Sequence, residues 1–236
     1  MSQSYRIKSL IWLKWQYLIT NKPLLYMCVI MPISDFCLLS LIPKFHGNIL
    51  FLSAALNLVY SLTAGSFISL MISEEKEKKN LRTLILSGVK MPEYTVSVVT
   101  FPYLFSIFSC IIFPLFFRVN IPSWPIYLII AILTSLIFIL ANLSIGLFAK
   151  SQIHASLFSW GIVLVATFLP MLADISGNKL IKQILNWSFI GANSEYFIQL
   201  EHFKLMDTSL IALLLWLTGL SILTGFSFKW NKKEHS

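Results

Sequence analysis

With 236 residues, 57% of them hydrophobic and 12% charged, and a mean hydropathy of +0.78, the chain carries more apolar side chain than a soluble domain of this length can bury. Its formal net charge of +8, from 18 Lys plus Arg against 10 Asp plus Glu, would suggest nucleic acid in a soluble protein. Here the basic residues flank apolar runs, so membrane topology accounts for them and no nucleic-acid partner is expected.

Residues 1–20 carry Arg6, Lys8 and Lys14 among apolar side chains. Ile7, Leu10, Ile11, Trp15 and Leu18 fall on one helical stripe, and Trp12, Trp15 and Tyr17 suit a headgroup boundary. This reads as a helix in the cytoplasmic interface. Asn21-Lys22-Pro23 then turns the chain into a first span, about Leu24 to Ile42. No cleavable signal peptide is expected, since the first strong apolar run starts only near Leu24. Pro32 predicts a kink in that span. Asp35 is the one acid at membrane depth, and an intramembrane ionisable group is a site hypothesis by default. Its alternative is an acid near the outer boundary, bonded to a neighbouring span.

The second span, about Asn48 to Ile72, repeats small or polar residues every fourth position: Ser53, Asn57, Ser61, Gly65, Ser69 and Ser73. Such a stripe lets helices approach closely and hydrogen-bond, so it faces either a packed helix or a polar translocation path. The third span is about Tyr94 to Phe117, with Pro102 and Pro114 predicting bends. The fourth is about Pro125 to Phe148, the fifth about Ile153 to Ala173 and the sixth about Thr208 to Phe228. Residues 174–207 mix charges with apolar residues and hold no continuous span. Two short half-buried helices at the outer surface fit, separated near Gly191-Ala192-Asn193.

Between spans two and three lies the only dense charge cluster, Ser73 to Lys90. Glu74, Glu75 and Glu77 come first, and Lys76, Lys78, Lys79 and Arg82 interleave or follow. Leu81, Leu84 and Ile85 then recur at the spacing of one helix face. With Ser73 as a start and Gly88 as a left-handed stop, the segment predicts a short amphipathic helix. Its alternatives are a solvated loop that fixes topology, or a stripe lying in the headgroup layer. With both termini inside, only Lys44, Arg118, Lys179, Lys182 and Lys204 of the 18 basic residues fall outside. That bias predicts a cytoplasmic location for both termini and for residues 74–90.

The remaining side chains suggest no chemistry. Cys28, Cys37 and Cys110 sit inside apolar runs, without disulfide or metal spacing. His46, His154, His202 and His235 are too dispersed for a metal site. No GxxxxGK[ST] motif cradles nucleotide phosphates, and no catalytic constellation occurs. The chain is not expected to be an enzyme or to hold a cofactor.

The charged stretch resembles the first cytoplasmic loop of type-2 ATP-binding-cassette permeases. That family places a Glu and a charged run before Gly-Thr, a Leu-rich run and a Pro or small residue. Here the elements are Glu75-Lys76-Glu77, then Leu81 to Leu86, then Ser87-Gly88-Val89; Lys79-Asn80 stands where Gly-Thr is usual and Gly88 where Pro is common. The resemblance implies an all-α membrane protein, a single permease domain over 1–236. It has six spans, an N-terminal interfacial helix, a cytoplasmic coupling helix and two short outer helices. It implies that Glu74, Glu75, Glu77, Leu81, Arg82, Leu84 and Ile85 engage a separate ATPase subunit, which binds ATP and Mg. A second permease chain, identical or paralogous, is a further expected partner besides lipid. The expected function is export of a peptide, antibiotic, lipid or polysaccharide across a bacterial plasma membrane, with bacteriocin self-protection as one case. The rivals are a non-transporting immunity or sensor protein, and an ion-driven transporter. The latter needs coupling carboxylates near the midplane, where Asp35 alone is available.

Overall fold

The computed structural model describes residues 3–176, 179–198 and 208–235. Among them every long element is helical: α1 (Gln3–Thr20), α2 (Lys22–Leu39), α3 (Ile49–Glu77), α4 (Asn80–Leu86), α5 (Met91–Phe116), α6 (Trp124–Phe148), α7 (Gln152–Ser176), α8 (Lys179–Trp187), α9 (Phe189–Ile198) and α10 (Thr208–His235). Six of these, α2, α3, α5, α6, α7 and α10, are long and apolar enough to cross a membrane. The expectations placed on residues 199–207 lie outside the described residues.

Local sequence explains most starts. Asn21 accepts a hydrogen bond from the Leu24 amide (3.4 Å) at the start of α2, with Pro23 in the first turn. Asn48 accepts from the Leu50 and Phe51 amides (3.0 and 3.3 Å) at the start of α3. Both satisfy orphan donors at a helix N-terminus. Pro92 and Pro125 open α5 and α6, where a missing N–H costs nothing. α5 runs on through Pro102 and Pro114 without a break. α2 and α3 each contain a π-helical stretch, Tyr26–Ile30 and Tyr60–Ser66. The two stretches are joined: the Thr63 hydroxyl donates to the Cys28 carbonyl at 2.6 Å. Side-chain donors of this kind satisfy backbone groups freed inside a membrane helix.

α3 is the axis of the bundle. Its most apolar window is 89% buried, against 22% for α2 and for α7. One apolar cluster gathers Leu52, Leu56, Tyr60, Phe113, Tyr127 and Phe138 toward the end where α3 begins. A second gathers Leu18, Met71, Leu81, Tyr94, Leu143 and Leu147 toward the end where α3 finishes. α6 lies against α3 so closely that a Cβ on Gly65 would sit 2.4 Å from Asn142 Nδ2. Only glycine permits that approach.

Two boundaries differ from expectation. The short pair after α7 breaks at Ser188 rather than near Gly191. Ser188 donates its hydroxyl to the Leu185 carbonyl at 2.7 Å and accepts from the Gly191 amide at 3.0 Å. It therefore ends α8 and caps α9, while Gly191 sits inside α9 against the Leu185 backbone. The expected helix over residues 74–87 is two elements. α3 carries on through Glu74, Glu75 and Glu77, Lys78 and Lys79 turn, and α4 begins at Asn80. Ser73 caps nothing; its hydroxyl donates to the Leu70 carbonyl within α3 (3.0 Å). Lys79 takes a left-handed φ of 60° to make the corner.

Candidate functional site

Where α1, α3, α4 and α5 meet, the chain buries charge. Glu75, 5% exposed, accepts from Lys14 Nζ on one oxygen and from the Tyr94 hydroxyl on the other, the latter at 2.6 Å. Lys14 is itself 1% exposed, and its ammonium lies 4.7 Å from the centroid of the Tyr94 ring. Glu74 accepts from the Tyr17 hydroxyl, from Lys78 Nζ (2.5 Å) and from Asn21 Nδ2 (3.5 Å). Each oxygen of both carboxylates thus has a donor, the condition under which a buried charge is tolerated.

The surroundings shift the titrations. Burial pulls the Lys14 ammonium below its ordinary value, with Glu75 opposing. Burial, and then the bond to Glu74, pushes the Tyr17 phenol well above its own. The exposed Lys78 ammonium is held up by its bond to Glu74.

The next two charges stabilise helix ends. Lys76 donates to the Leu147 carbonyl and, at 3.0 Å, to that of Ala149, at the C-terminus of α6. Glu77 accepts from the Gln152 amide at 3.0 Å, at the N-terminus of α7. A cation at a helix C-terminus and an anion at an N-terminus both satisfy orphan backbone groups and complement the dipole.

α4 turns its apolar stripe inward. Leu81 is 2% exposed, and Leu84 and Ile85 pack half-buried against the same cluster as Leu18, Met71 and Leu147. Arg6 Nη1 donates to the Gly88 carbonyl at 3.1 Å, tying α1 to the end of α4. Gly88 has φ +85°, the left-handed stop that the sequence suggests. The exposed face of α4 is instead Arg82, Thr83 and Leu86, the last 76% exposed. Of the charged residues singled out, Arg82 therefore faces outward, whereas Glu74 and Glu75 are buried struts and Glu77 holds α7.

The every-fourth stripe of α3 is buried against the chain's own helices. Ser69 and Ser159 hydroxyls meet at 2.5 Å, Ser159 donates to Asn142 Oδ1 at 3.0 Å, and Asn142 Nδ2 donates to the Phe138 carbonyl at 3.1 Å. This chain links α3, α6 and α7. Asn57 Nδ2 donates to Ser194 of α9 at 3.1 Å, and Ser61 donates to the Asn57 carbonyl at 2.7 Å. Ser53 is buried beside them. Asp35 lies apart, on an exposed part of α2.

Lys14, Tyr17, Tyr94, Asn142 and Ser159 are the residues that sequence reasoning missed. One signal was available. Lys14 falls between Leu10 and Leu18 at i, i+4 spacing, so it sits on the apolar face of α1. A lysine there is either snorkelling or paired.

Six spanning-length helices around a buried polar axis are the architecture of a multi-pass membrane protein. A family model, "Fluoroquinolones export permease protein Rv2686c-like", matches residues 46–181, and the chain belongs to that family. The match runs from just before α3 into α8, so it includes Glu74 to Arg82 and the α3 stripe but excludes Lys14 and α10. Among curated proteins nothing matches the chain.

Proposed function

We propose that the chain is the membrane subunit of an ATP-driven exporter in a bacterial plasma membrane, with both termini cytoplasmic. The observation that carries this reading is the junction around Glu74 and Glu75. The Lys14–Glu75 pair and the Tyr94 hydroxyl join α1, α3 and α5 there, and α4 packs onto the same junction through Leu81. A load applied to the exposed Arg82–Leu86 face would therefore reach the central helix through the packed Leu81 cluster as well as through the Lys78–Lys79 turn. ATP and Mg belong to a separate ATPase subunit that docks on that face. The chain itself performs no hydrolysis. Two permease chains, identical or paralogous, complete the assembly. The family's printed name favours a fluoroquinolone-like antibiotic as cargo over a peptide, lipid or polysaccharide.

The reading is tested by purifying the chain together with the ATPase subunit encoded beside it. Leu86→Asp removes an apolar contact from the exposed face and leaves the internal cluster intact. The assembled complex is expected to lose cargo-stimulated ATP hydrolysis while the chain keeps its thermal unfolding temperature. Full stimulation in Leu86→Asp places the ATPase elsewhere. Failure to recover any ATPase with the chain overturns the reading.

A further inference from the structure

α10 packs along α6, and beside that seam a cleft of about 850 Å³ opens among α6, α7 and α10, roofed by Phe189 and Ile190 of α9. We propose that this cleft binds an aromatic amphiphile bearing a carboxylate. Its rings lie among Phe158, Phe189 and Trp216, and its anion lies at Lys150 and His154. The proposal rests on the export reading for the ligand's role as cargo, and on the cleft alone for binding.

Four features carry it. The volume lies within the range typical of small-molecule pockets. The lining is apolar but not uniformly aliphatic: Phe148, Phe158, Phe189 and Trp216 present ring surfaces, which favour flat partners over flexible acyl chains. Phe189 and Trp216 are already mutually ordered, edge to face at 5.3 Å between centroids. The Trp216 indole N–H is spent on the Trp187 carbonyl at 2.7 Å, so this ring offers its surface to a ligand rather than a donor.

Charge at one end sets the ligand's polarity. Lys150 occupies the turn between α6 and α7, and His154 stands in the first turn of α7. The ion pairs among the described residues join Lys14 to Glu75 and Lys78 to Glu74, and neither involves this pair. Lys76 and Glu77 nearby are both occupied at helix ends. The basic mouth is therefore available to an anion, beside a body of apolar rings.

Gly161 supplies the fourth feature. A Cβ there would meet nothing within 4 Å, although the residue lines the cleft. It is thus not a packing glycine like Gly65. Its small size leaves the cleft open in the middle of α7, and a side chain placed here begins in open space.

The test uses the full chain in nanodiscs of zwitterionic lipid, with norfloxacin as a fluorescent aromatic carboxylate and its ethyl ester as the counterpart lacking the anion. The wild-type chain is expected to bind the acid more tightly than the ester. Gly161→Phe should weaken the acid at least about tenfold with an unchanged unfolding temperature. Lys150→Gln combined with His154→Gln should weaken the acid about tenfold and leave the ester alone, the loss expected for one charge-assisted contact. Wild-type affinity in Gly161→Phe overturns the site. Equal binding of acid and ester overturns the anion's role. If neither compound binds, and native mass spectrometry finds a phospholipid retained by the wild type and lost from Gly161→Phe, the cleft is a lipid site and the proposal falls. The export reading fails separately: binding without any cargo-dependent ATP hydrolysis in the assembled complex leaves the cleft standing. ATP-driven uptake into inverted vesicles that Gly161→Phe does not alter removes the cleft and keeps the exporter.

Discussion

The junction around Glu75 and the cleft beside Gly161 reach the same end of the helix bundle, where Lys76 and Glu77 bridge them, and they are built on opposite terms. At the junction two glutamates are buried and every carboxylate oxygen is paired: Lys14, Tyr17 and Tyr94, with the exposed Lys78, donate to them. In the cleft the walls are apolar, the space is open, and the two basic side chains at the mouth are in no ion pair. A paired charge in a dry site fixes geometry, because any displacement strands it. An open apolar wall fixes nothing and accepts whatever fills it. The first region is suited to transmit movement, the second to accommodate a guest.

The largest effect that distinguishes them comes from stranding one charge. Lys14→Met leaves Glu75 buried with Tyr94 alone and is expected to cost about 3–5 kcal/mol. Lys14→Met with Glu75→Leu removes both charges and should recover much of that loss, as apolar replacement of buried pairs often does. Thermal unfolding in detergent checks both. If the double variant is as unstable as the single one, the pair is not the strut described. No such penalty attaches to Lys150→Gln at the cleft, since that side chain is exposed and in no ion pair.

This asymmetry also explains what was legible beforehand. Six spans follow from apolar runs of about 20 residues, and their bounds lie within a few residues of those expected. The end of α4 was readable because Gly88 has a specific conformational role. The start was not. Glu74 and Glu75 read as the charged face of an amphipathic helix because acidic residues are rarely buried unless paired, and the ion-pair partner of Glu75 lies sixty-one positions away at Lys14. Likewise, Leu81, Leu84 and Ile85 announce a buried face by their spacing, yet periodicity does not say what covers it. Here the chain's own cluster does, which leaves Arg82 and Leu86 as the outward residues. The α3 stripe was readable as a close-approach face, but its choice of α6, α7 and α9 as neighbours depends on tertiary contacts such as Asn142 with Ser159. The break at Ser188 was hidden for a simpler reason: Gly191 is the stronger turn former, and close packing against Leu185 is what it serves instead.

A smaller effect puts the same substitution into closed and open packing. Gly65→Ala drives a Cβ to 2.4 Å from Asn142 Nδ2 and forces apart the bonded line from Ser69 through Ser159. Overpacking of this kind is expected to cost about 1–3 kcal/mol. Gly161→Ala meets nothing and gains helix propensity, so it should stabilise by about 0.5–1 kcal/mol. Opposite shifts in unfolding temperature are the expected result, and shifts of the same sign would mean that the cleft is closed in the bilayer.

The smallest effect probes how tightly the junction is sealed, through the pH dependence of Tyr17. Its phenol is raised above the ordinary value of 10.0 by burial and by donation to Glu74. The sign follows from proton linkage. Above pH 10 the unfolded chain releases this proton while the folded chain keeps it, so the folded state binds more protons there. The stability contributed by Tyr17 is therefore fully present below pH 10 and is lost progressively as pH rises toward the folded value. Tyr17→Phe removes the hydroxyl, so the gap between wild type and variant should be constant up to about pH 10 and narrow above it. Because Tyr17 is only half-buried, solvent screening keeps the change to about 1 kcal/mol or less. Subtracting the variant's curve cancels the other tyrosines and lysines, which are common to both chains. Unfolding temperatures at pH 8, 9.5 and 11 (rough markers below and above the phenol's ordinary titration) are enough to see it. A gap that stays constant across all three means that the Tyr17 hydroxyl ionises as freely in the folded chain as in the unfolded one. Water would then reach Glu74, and the junction would be a surface ion cluster and no strut between α1 and α3.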